Sequence, residues 1–151
     1  MNQTPEAAQA TLSIERTFDA PLKLVWEAWT QPEHIAHWWG PPGVEAKIIT
    51  HDFQVGGKWA YHMHLPHGTF ETDGIYQEIV EQERVITTAN FRPMTEGVVM
   101  HAYFTANGDK TDLAFHVVHQ SAEHAKQQEE MGFYRGWGST LDRLGLHLQN
   151  G

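Results

Sequence analysis

The segment from Val44 to Gln120 constrains the fold more than any other part of this 151-residue chain. It consists of short stretches with strand-like patterns that are separated by turn residues, as in an antiparallel sheet with meander order. The expected breaks are Gly56-Gly57, Pro66 to Gly68, Glu81 to Glu83 and Pro93 to Gly97. The sequence therefore predicts a domain dominated by one antiparallel sheet.

The last predicted hairpin has a definite register. If Asn107-Gly108 is a two-residue turn with positive φ at both positions, then Phe104 pairs with Thr111, Ala102 with Leu113 and Met100 with Phe115. One face is then mostly apolar, in agreement with a sheet that buries one side. We expect the other face, which includes His101, Tyr103, Asp112, Ala114 and His116, to be partly hydrated.

One strand and two short helices are predicted before this sheet. From Thr11 to Phe18 apolar and polar residues alternate, with Arg16 as the exception on the apolar face. Asp19 is predicted to cap a helix that has Pro21 in its first turn and ends by Thr30. Pro32 begins a second helix through His37, and Gly40 to Gly43, with its two prolines, forms a loop. Residues 1–10 are expected to be a flexible tail, and residues 11–150 a single domain.

A long helix is predicted at the C-terminus. Ser121 is a suitable cap, and a helix from there to about Leu148 would be ~40 Å long. Its apolar stripe consists of Met131, Tyr134, Trp137, Leu141, Leu144 and Leu148. Gly132, Gly136 and Gly138 lie within the stripe, and each costs a helix about 1 kcal/mol relative to alanine. They indicate either close backbone packing or open space beside the helix.

Charge and composition exclude several classes of partner. Ten basic against nineteen acidic residues give a net charge of −9, so nucleic acid and anionic membrane surfaces are not expected partners. The chain has no cysteine, which excludes disulfides and thiolate zinc sites. It also has no secretory signal pattern at Met1 to Thr11 and no apolar run of ~20 residues. We therefore expect a cytoplasmic protein.

Short motifs distributed along the chain are similar to those of a known family. They are Ala20-Pro21 with Val25-Trp26, Ala28-Trp29-Thr30, Pro32-Glu33, Trp38-Trp39-Gly40-Pro41, Val55-Gly56-Gly57-Lys58-Trp59, Glu78-Ile79 with Glu83-Arg84, and Gly136-Trp137 with Leu141-Asp142-Arg143-Leu144. Together they resemble the START-like superfamily, the polyketide cyclase and lipid-transport group. Within it they resemble proteins similar to the C-terminal domain of the activator of the heat-shock chaperone ATPase. The resemblance covers about Thr11 to Leu148.

This resemblance implies an α+β helix-grip fold. In that fold a curved, seven-stranded antiparallel sheet wraps around a long C-terminal helix, and two short helices follow the first strand. The cavity between sheet and helix commonly holds apolar small molecules. The co-chaperone itself has an additional N-terminal domain where this chain has a ten-residue tail, so a chaperone is a less favoured partner than a small apolar molecule.

The residues themselves also indicate an apolar pocket. On Lys58 to Leu65 the aromatic and Met positions share one face, which we expect to be the inner one. The predicted ligand-binding residues are Trp38, Trp59, Tyr61, Met63, Met100, Phe104, Phe115, Met131, Tyr134 and Trp137. Tyr61, Tyr134 and an indole N–H of Trp59 or Trp137 are the expected polar contacts. The alternative is an ordinary core filled by these side chains.

Trp38 and Trp39 are adjacent, and we expect that they cannot both point into one core. One of them would then cover the mouth of the cavity, cover a sheet edge or form a dimer contact. A homodimer is therefore one of the expected assemblies.

Metal and catalytic sites are weakly indicated. His62 and His64, with His67 and Glu71 nearby, could share a metal ion, but they lie opposite the aromatic face and a hydrated surface is favoured. Asp73, Glu78 and Arg135 are the acid, base or carbonyl-binding candidates, and no nucleophile elbow, phosphate loop or dinucleotide motif is present. We expect no metal and no cofactor, and we assign no catalytic residue.

The expected function is ligand binding. The alternatives are a cyclase, dehydratase or hydrolase that uses the same cavity, or a co-chaperone-type interaction domain.

Overall fold

The structure is a computed structural model that describes residues 9–41, 43–92 and 95–150. Most of the expected tail, together with Pro42 of the predicted loop and Pro93 of the predicted turn, lies outside the described residues. Ala10 is buried, and its carbonyl accepts a hydrogen bond from the backbone N–H of His119 (2.8 Å). The chain therefore joins the core one residue before the first strand.

In the part of the chain that the structure describes, seven strands form one antiparallel sheet, as predicted. Their bounds are β1 (Thr11–Phe18), β2 (Lys47–His51), β3 (Lys58–Leu65), β4 (Gly68–Val80), β5 (Arg84–Arg92), β6 (Thr95–Asn107) and β7 (Lys110–Val118). The spatial order is β1-β7-β6-β5-β4-β3-β2, so the meander from β2 to β7 is confirmed and β1 pairs with β7. Register shifts between β2 and β3, β4 and β5, and β5 and β6 are irregularities of the kind that bend a sheet.

The register predicted for the last hairpin is wrong by two residues. Phe104 pairs with Leu113, Ala102 with Phe115 and Met100 with Val117, because the turn residues are Gly108 and Asp109. Gly108 has a φ of 61°, which suits the first central position of a tight hairpin turn. A shift of two residues preserves the parity of the strand. The predicted apolar face is therefore buried, and the opposite face is partly buried.

Two short helices follow β1, namely α1 (Leu22–Thr30) and α2 (Pro32–Trp38). The cap predicted at Asp19 is wrong, because Pro21 occupies the N-cap position of α1 and no side chain caps it. Trp39 follows α2 in an extended conformation, with φ −72° and ψ 127°.

This change of backbone direction lets both adjacent indoles enter the core, contrary to the prediction. The Trp38 N–H donates to the carbonyl of Ala28 (2.8 Å), and the Trp39 N–H donates to the Thr72 hydroxyl (3.1 Å).

The single C-terminal helix predicted from Ser121 to Leu148 is two helices, α3 (Ala122–Glu130) and α4 (Phe133–Asn150). Gly132 interrupts it with a φ of 105°, a conformation that glycine adopts without the steric cost of a side chain. The predicted cap is confirmed, since the Ser121 hydroxyl accepts a hydrogen bond from the backbone N–H of His124 (3.0 Å). At 1.5 Å per residue, α4 is about 27 Å long.

The core lies between the inner face of the sheet and the helices α1, α2 and α4. Aromatic contacts connect these layers: the Trp29 ring lies 5.6 Å from Phe104 and 5.7 Å from Phe115. The C-terminal half of α4 contributes Leu141 and Leu144, which are fully buried. The α+β helix-grip architecture is thus confirmed, with a shorter final helix than expected.

Candidate functional site

A pocket of about 480 Å³ lies where the start of α4 faces the sheet and the loop after α2. It is lined by Trp39, Gly40, Pro41, Met63, Phe70, Phe91, Thr95, Val98, Val117, His119, Gln128, Met131, Gly132, Phe133, Arg135, Gly136, Trp137, Ser139 and Thr140. The lining therefore comes from β3 to β7, from both C-terminal helices and from the segment that follows α2.

The apolar wall of the pocket is built from large rings in fixed mutual orientation. Trp39 and Trp137 meet edge to face with centroids 5.7 Å apart, and Phe91 meets Trp137 at the same distance. Phe91 also stacks with Phe70 at 6.4 Å. Such edge-to-face and offset contacts are favourable for aromatic pairs, so these rings fix one another's positions in the wall.

The space itself arises at the start of α4. A Cβ built on Gly136 would have no neighbour within 4 Å among the residues that the structure describes, so this glycine borders the open volume. Gly138 differs, because a Cβ there would lie 3.1 Å from the Arg16 guanidinium. The first two members of the predicted apolar stripe, Met131 and Tyr134, are 58% and 43% exposed. Of the two explanations that the sequence left open, Gly136 corresponds to open space and Gly138 to close packing.

Arg143 holds the loop that forms one rim of the pocket. Its guanidinium donates to the carbonyls of His37 (2.7 Å), Gly40 (3.0 Å) and Pro41 (2.6 Å). The Thr140 hydroxyl also donates to the Gly40 carbonyl (3.2 Å). Burial lowers the pKa of Arg143, although the group stays protonated because guanidinium ionises only at very high pH. Two residues of α4 therefore hold this rim in place: Arg143, which lies outside the pocket lining, and Thr140, which is part of it.

Several polar groups line the pocket. His119 is held by a hydrogen bond to the carbonyl of Ala10 (3.2 Å), and burial lowers its pKa, so it is neutral at pH 7. The Thr95 hydroxyl is bonded to Nε2 of His124 (2.7 Å). Arg135 and Ser139 lie one helical turn apart on α4 and therefore share a face of the helix. The arrangement combines apolar walls with a few polar groups, as in pockets for small organic molecules.

Of the ten sequence-predicted site residues, the structure places Met63, Met131 and Trp137 in the pocket lining. Six others are buried in the core, namely Trp38, Trp59, Tyr61, Met100, Phe104 and Phe115. Several of these form a second layer: Trp59 and Tyr61 contact Trp39, and Phe115 contacts Trp137 with centroids 4.6 Å apart. Tyr134 is exposed beside Phe133, at 5.2 Å.

Two of the polar groups expected to face the pocket have partners in the core. The Trp59 N–H donates to the Thr87 hydroxyl (2.8 Å), and the Tyr61 hydroxyl bonds Nδ1 of His51 (2.7 Å). Burial raises the pKa of Tyr61 far above its usual value and raises that of Tyr76 to about 12. Both tyrosine hydroxyls are therefore protonated and lie in the core rather than in the pocket lining.

Sequence reasoning did not name several pocket residues, among them Phe91, Val98 and His119. The alternation of buried residues in β5 could have placed Phe91 on the inner face. No local signal identifies His119, since its position depends on contacts with the distant Ala10.

Of the other candidates from the sequence, Arg135 lines the pocket, whereas the candidate histidines and carboxylates lie outside its lining. His64 bonds the Thr69 hydroxyl (3.2 Å), and His62 lies opposite Glu71 on the neighbouring strand. In the ranges that the structure describes, no three His, Cys, Asp or Glu side chains are grouped so as to hold a metal ion. Asp73 is bonded to Arg92 and Asn90, and Glu78 to Arg84 (2.6 Å). Both carboxylates therefore take part in ion pairs within the sheet.

Comparison with known proteins identifies the family. The family model described as Activator of Hsp90 ATPase homolog 1-like protein matches residues 19–149. The chain belongs to this family. Among curated proteins, none matches the chain. Within the described ranges, no helix has the length and apolar character needed to cross a membrane.

Solved structures of several bacterial proteins have the same fold as this AHSA1-like chain. A Mycobacterium smegmatis protein has a TM-score of 0.84 and 24% identity, covering 97% of this chain and 98% of its own. A Nitrosomonas europaea protein has a TM-score of 0.82 and 27% identity, covering 95% and 96%. An AHSA1-like protein from Aeromonas hydrophila has a TM-score of 0.74 and 20% identity, covering 93% and 92%.

Proposed function

We propose that this AHSA1-like protein binds a small, largely apolar molecule in the pocket between the start of α4 and the sheet. The observation that carries the proposal is the 480 Å³ volume walled by Trp39, Phe91 and Trp137. This volume is within the range of roughly 300–1,000 Å³ that is usual for small-molecule sites. A planar or aliphatic body of a few hundred daltons would bury most of its surface there.

Three of the predicted residues, Met63, Met131 and Trp137, are proposed to contact the ligand directly, together with Trp39 and Phe91. Met131 is well suited to the rim, because an unbranched thioether adapts to different shapes. Two of the buried predicted residues lie behind those that contact the ligand. Phe115 supports the Trp137 ring, and Trp59 supports the Trp39 ring.

A neutral fluorescent probe and one position on α4 test the proposal. Gly136→Phe places a ring in the open volume, whereas Gly136→Ala adds a single methyl group at the same position. N-phenyl-1-naphthylamine should bind the wild type and Gly136→Ala with similar affinity. It should bind Gly136→Phe at least about tenfold more weakly, because the apolar contacts that it buries are lost.

Circular dichroism would verify that each variant is folded. Native mass spectrometry of the purified protein would add a search for a co-purified small molecule that leaves on denaturation. Equal probe binding by the wild type and folded Gly136→Phe, or no probe binding by the wild type, would contradict the proposal.

The family match supports a second candidate, an effect on an Hsp90-type chaperone. Ile49, which is 50% exposed on the edge strand β2, offers an apolar contact for a partner protein. The test is the ATPase rate of purified Hsp90 with and without this protein. An increase that Ile49→Lys abolishes would favour this candidate, and an unchanged rate would exclude it for that chaperone.

Two further expectations belong to the proposal. A cytoplasmic location is supported by the absence of cysteine, and fractionation of cells that express the protein tests it. A homodimer is tested by light scattering during size-exclusion chromatography.

A further inference from the structure

The charge of the pocket is opposite in sign to the charge of the chain. The protein has nineteen acidic and ten basic residues. The described residues that line the pocket include no Asp and no Glu, and Arg135 is their permanently charged member. In a protein of net charge −9, an apolar pocket with one positive charge indicates a ligand that carries a negative charge.

Arg135 also differs from the other arginines of the chain. Arg16 pairs with Asp142, Arg84 with Glu78, Arg92 with Asp73 and Glu96, and Arg143 with backbone carbonyls. Arg135 is an exposed residue of the lining, and it forms neither a hydrogen bond nor an ion pair with any residue in the described ranges 9–41, 43–92 and 95–150. Its five N–H donors are therefore available to a ligand.

We propose that the ligand of this pocket carries a carboxylate that Arg135 binds, while its apolar body lies against Trp39, Phe91 and Trp137. This inference rests on the proposed function and specifies the class of ligand. A planar guanidinium matches a carboxylate with two parallel hydrogen bonds. Ser139 lies four residues later on the same face of α4 and lines the pocket, so its hydroxyl is placed to donate a further bond.

The number of charges favours a carboxylate over a phosphate. One permanent positive charge balances a monoanion, whereas a phosphate monoester carries nearly two negative charges at neutral pH. His119, the other titratable group of the lining, is neutral at pH 7 and supplies no second cation. A dianion would leave excess negative charge in a protein that is already acidic.

Matched pairs of acid and amide test the inference, because the two members differ in charge and scarcely in shape. The probes are 1-naphthaleneacetate with 1-naphthaleneacetamide, and octanoate with octanamide, measured by isothermal titration calorimetry at pH 7.5. The wild type should bind the acid of a pair about fivefold more tightly than the amide, the upper range for an ion pair with an exposed arginine.

Three variants determine whether Arg135 is the cause. The ratio of the two affinities should fall towards one in Arg135→Gln and stay above one in Arg135→Lys, which keeps the charge. It should be unchanged in Lys126→Gln, which removes the same charge from an exposed site of α3 outside the pocket lining. Raising the salt concentration should reduce the preference in the wild type.

Failure of this inference can be distinguished from failure of the proposed function. Equal binding of acid and amide, with both blocked by Gly136→Phe, would overturn the carboxylate assignment and leave the pocket in place. Tighter binding of 1-naphthyl phosphate than of 1-naphthaleneacetate would also overturn it. If neither N-phenyl-1-naphthylamine nor any member of either pair binds, or if Gly136→Phe binds them as the wild type does, both proposals are overturned. Binding of N-phenyl-1-naphthylamine alone would overturn the carboxylate assignment and leave the pocket in place.

Discussion

The two halves of α4 have the same apolar spacing and opposite packing. In the C-terminal half, Leu141 and Leu144 are fully buried and Leu148 is 8% exposed. Towards the N-terminal end, the same stripe continues through Trp137 to Tyr134 and, before α4 begins, to Met131; the last two residues are exposed. Periodicity therefore identifies the helix face that points inward, but it does not indicate whether that face meets other side chains or open space.

Different neighbours explain the contrast. The C-terminal half packs against α1, α2 and β1, where Phe18 lies 3.8 Å from the position of a Cβ on Gly145. The N-terminal half faces the sheet across the pocket, and Gly136 leaves the volume beside it unfilled. One end of α4 serves as core and the other as the wall of a site.

The largest expected effect comes from truncating the packed half. Leu144→Ala should lower the free energy of unfolding by about 2–5 kcal/mol, because it removes buried methyl groups and leaves a cavity. Met131→Ala removes a side chain of similar size just before the open half and should change stability by no more than about 0.5 kcal/mol, because this side chain is 58% exposed. Urea denaturation of both variants measures the difference. Similar losses would contradict the division of α4 into two environments.

Arg143 lies in the packed half of α4 and holds the loop that forms a rim of the pocket. Its substitution should give the next largest effect on stability. Arg143→Met leaves the carbonyls of Gly40 and Pro41 without their charged donor, so we expect a loss of about 1.5–3 kcal/mol in stability. Because those residues also form a rim of the pocket, N-phenyl-1-naphthylamine should bind more weakly to this variant. Unchanged probe affinity in a destabilised variant would mean that the rim does not contribute to the site.

Much of the fold could be predicted because its signals are local. The alternation from Thr11 to Phe18, and the turn residues between the later strands, predict the sheet without tertiary information. The hairpin register was wrong because Asn107-Gly108 and Gly108-Asp109 are both acceptable turns, and only the paired strands select between them. The break at Gly132 was missed because its neighbours continue the apolar stripe across it.

A pH change should have a smaller effect, part of which arises at the packed end of α4. Nε2 of His147 lies 2.9 Å from Nδ1 of His34, and its ring stacks on His37, which itself contacts Glu45 (3.2 Å). Burial lowers the pKa of His147, and the two other histidines lower it further. Below pH 6.5 the unfolded chain binds more protons at this residue than the folded chain does. The free energy of unfolding is therefore not reduced by this residue above pH 6.5, and it decreases as the pH is lowered from there.

Thermal unfolding at pH 7.5 and pH 5.5 measures this dependence. His147→Gln should reduce the contribution of this site, whereas His67→Gln, at an exposed turn, serves as the matched control. The same pH dependence in the wild type and His147→Gln would assign the effect to other histidines, such as His51 or His101, whose pKa values burial also lowers.

The site could be predicted less well than the fold, because a pocket depends on what the side chains leave unfilled. Parity places Trp59 and Tyr61 on the inner face, yet their polar atoms bond Thr87 and His51, contacts that are set by the tertiary structure. The extended backbone at Trp39, which turns this ring towards the pocket, is likewise set by how α2 ends. Sequence periodicity therefore predicts the inner face, whereas the boundary between core and pocket requires the packed structure.

The smallest predicted effect compares two glycines of α4 that are separated by one residue. Gly136→Ala should raise the free energy of unfolding by about 1 kcal/mol, since alanine favours the helix and its methyl group meets open space. In Gly138→Ala the methyl group would lie 3.1 Å from the Arg16 guanidinium, which pairs with Asp142 at 3.7 Å, so the gain should be smaller or reversed. Equal gains in urea denaturation would mean that Arg16 moves at no cost. A loss in Gly136→Ala would mean that the space beside this position is filled in solution, and the pocket wall would then have to be redrawn around it.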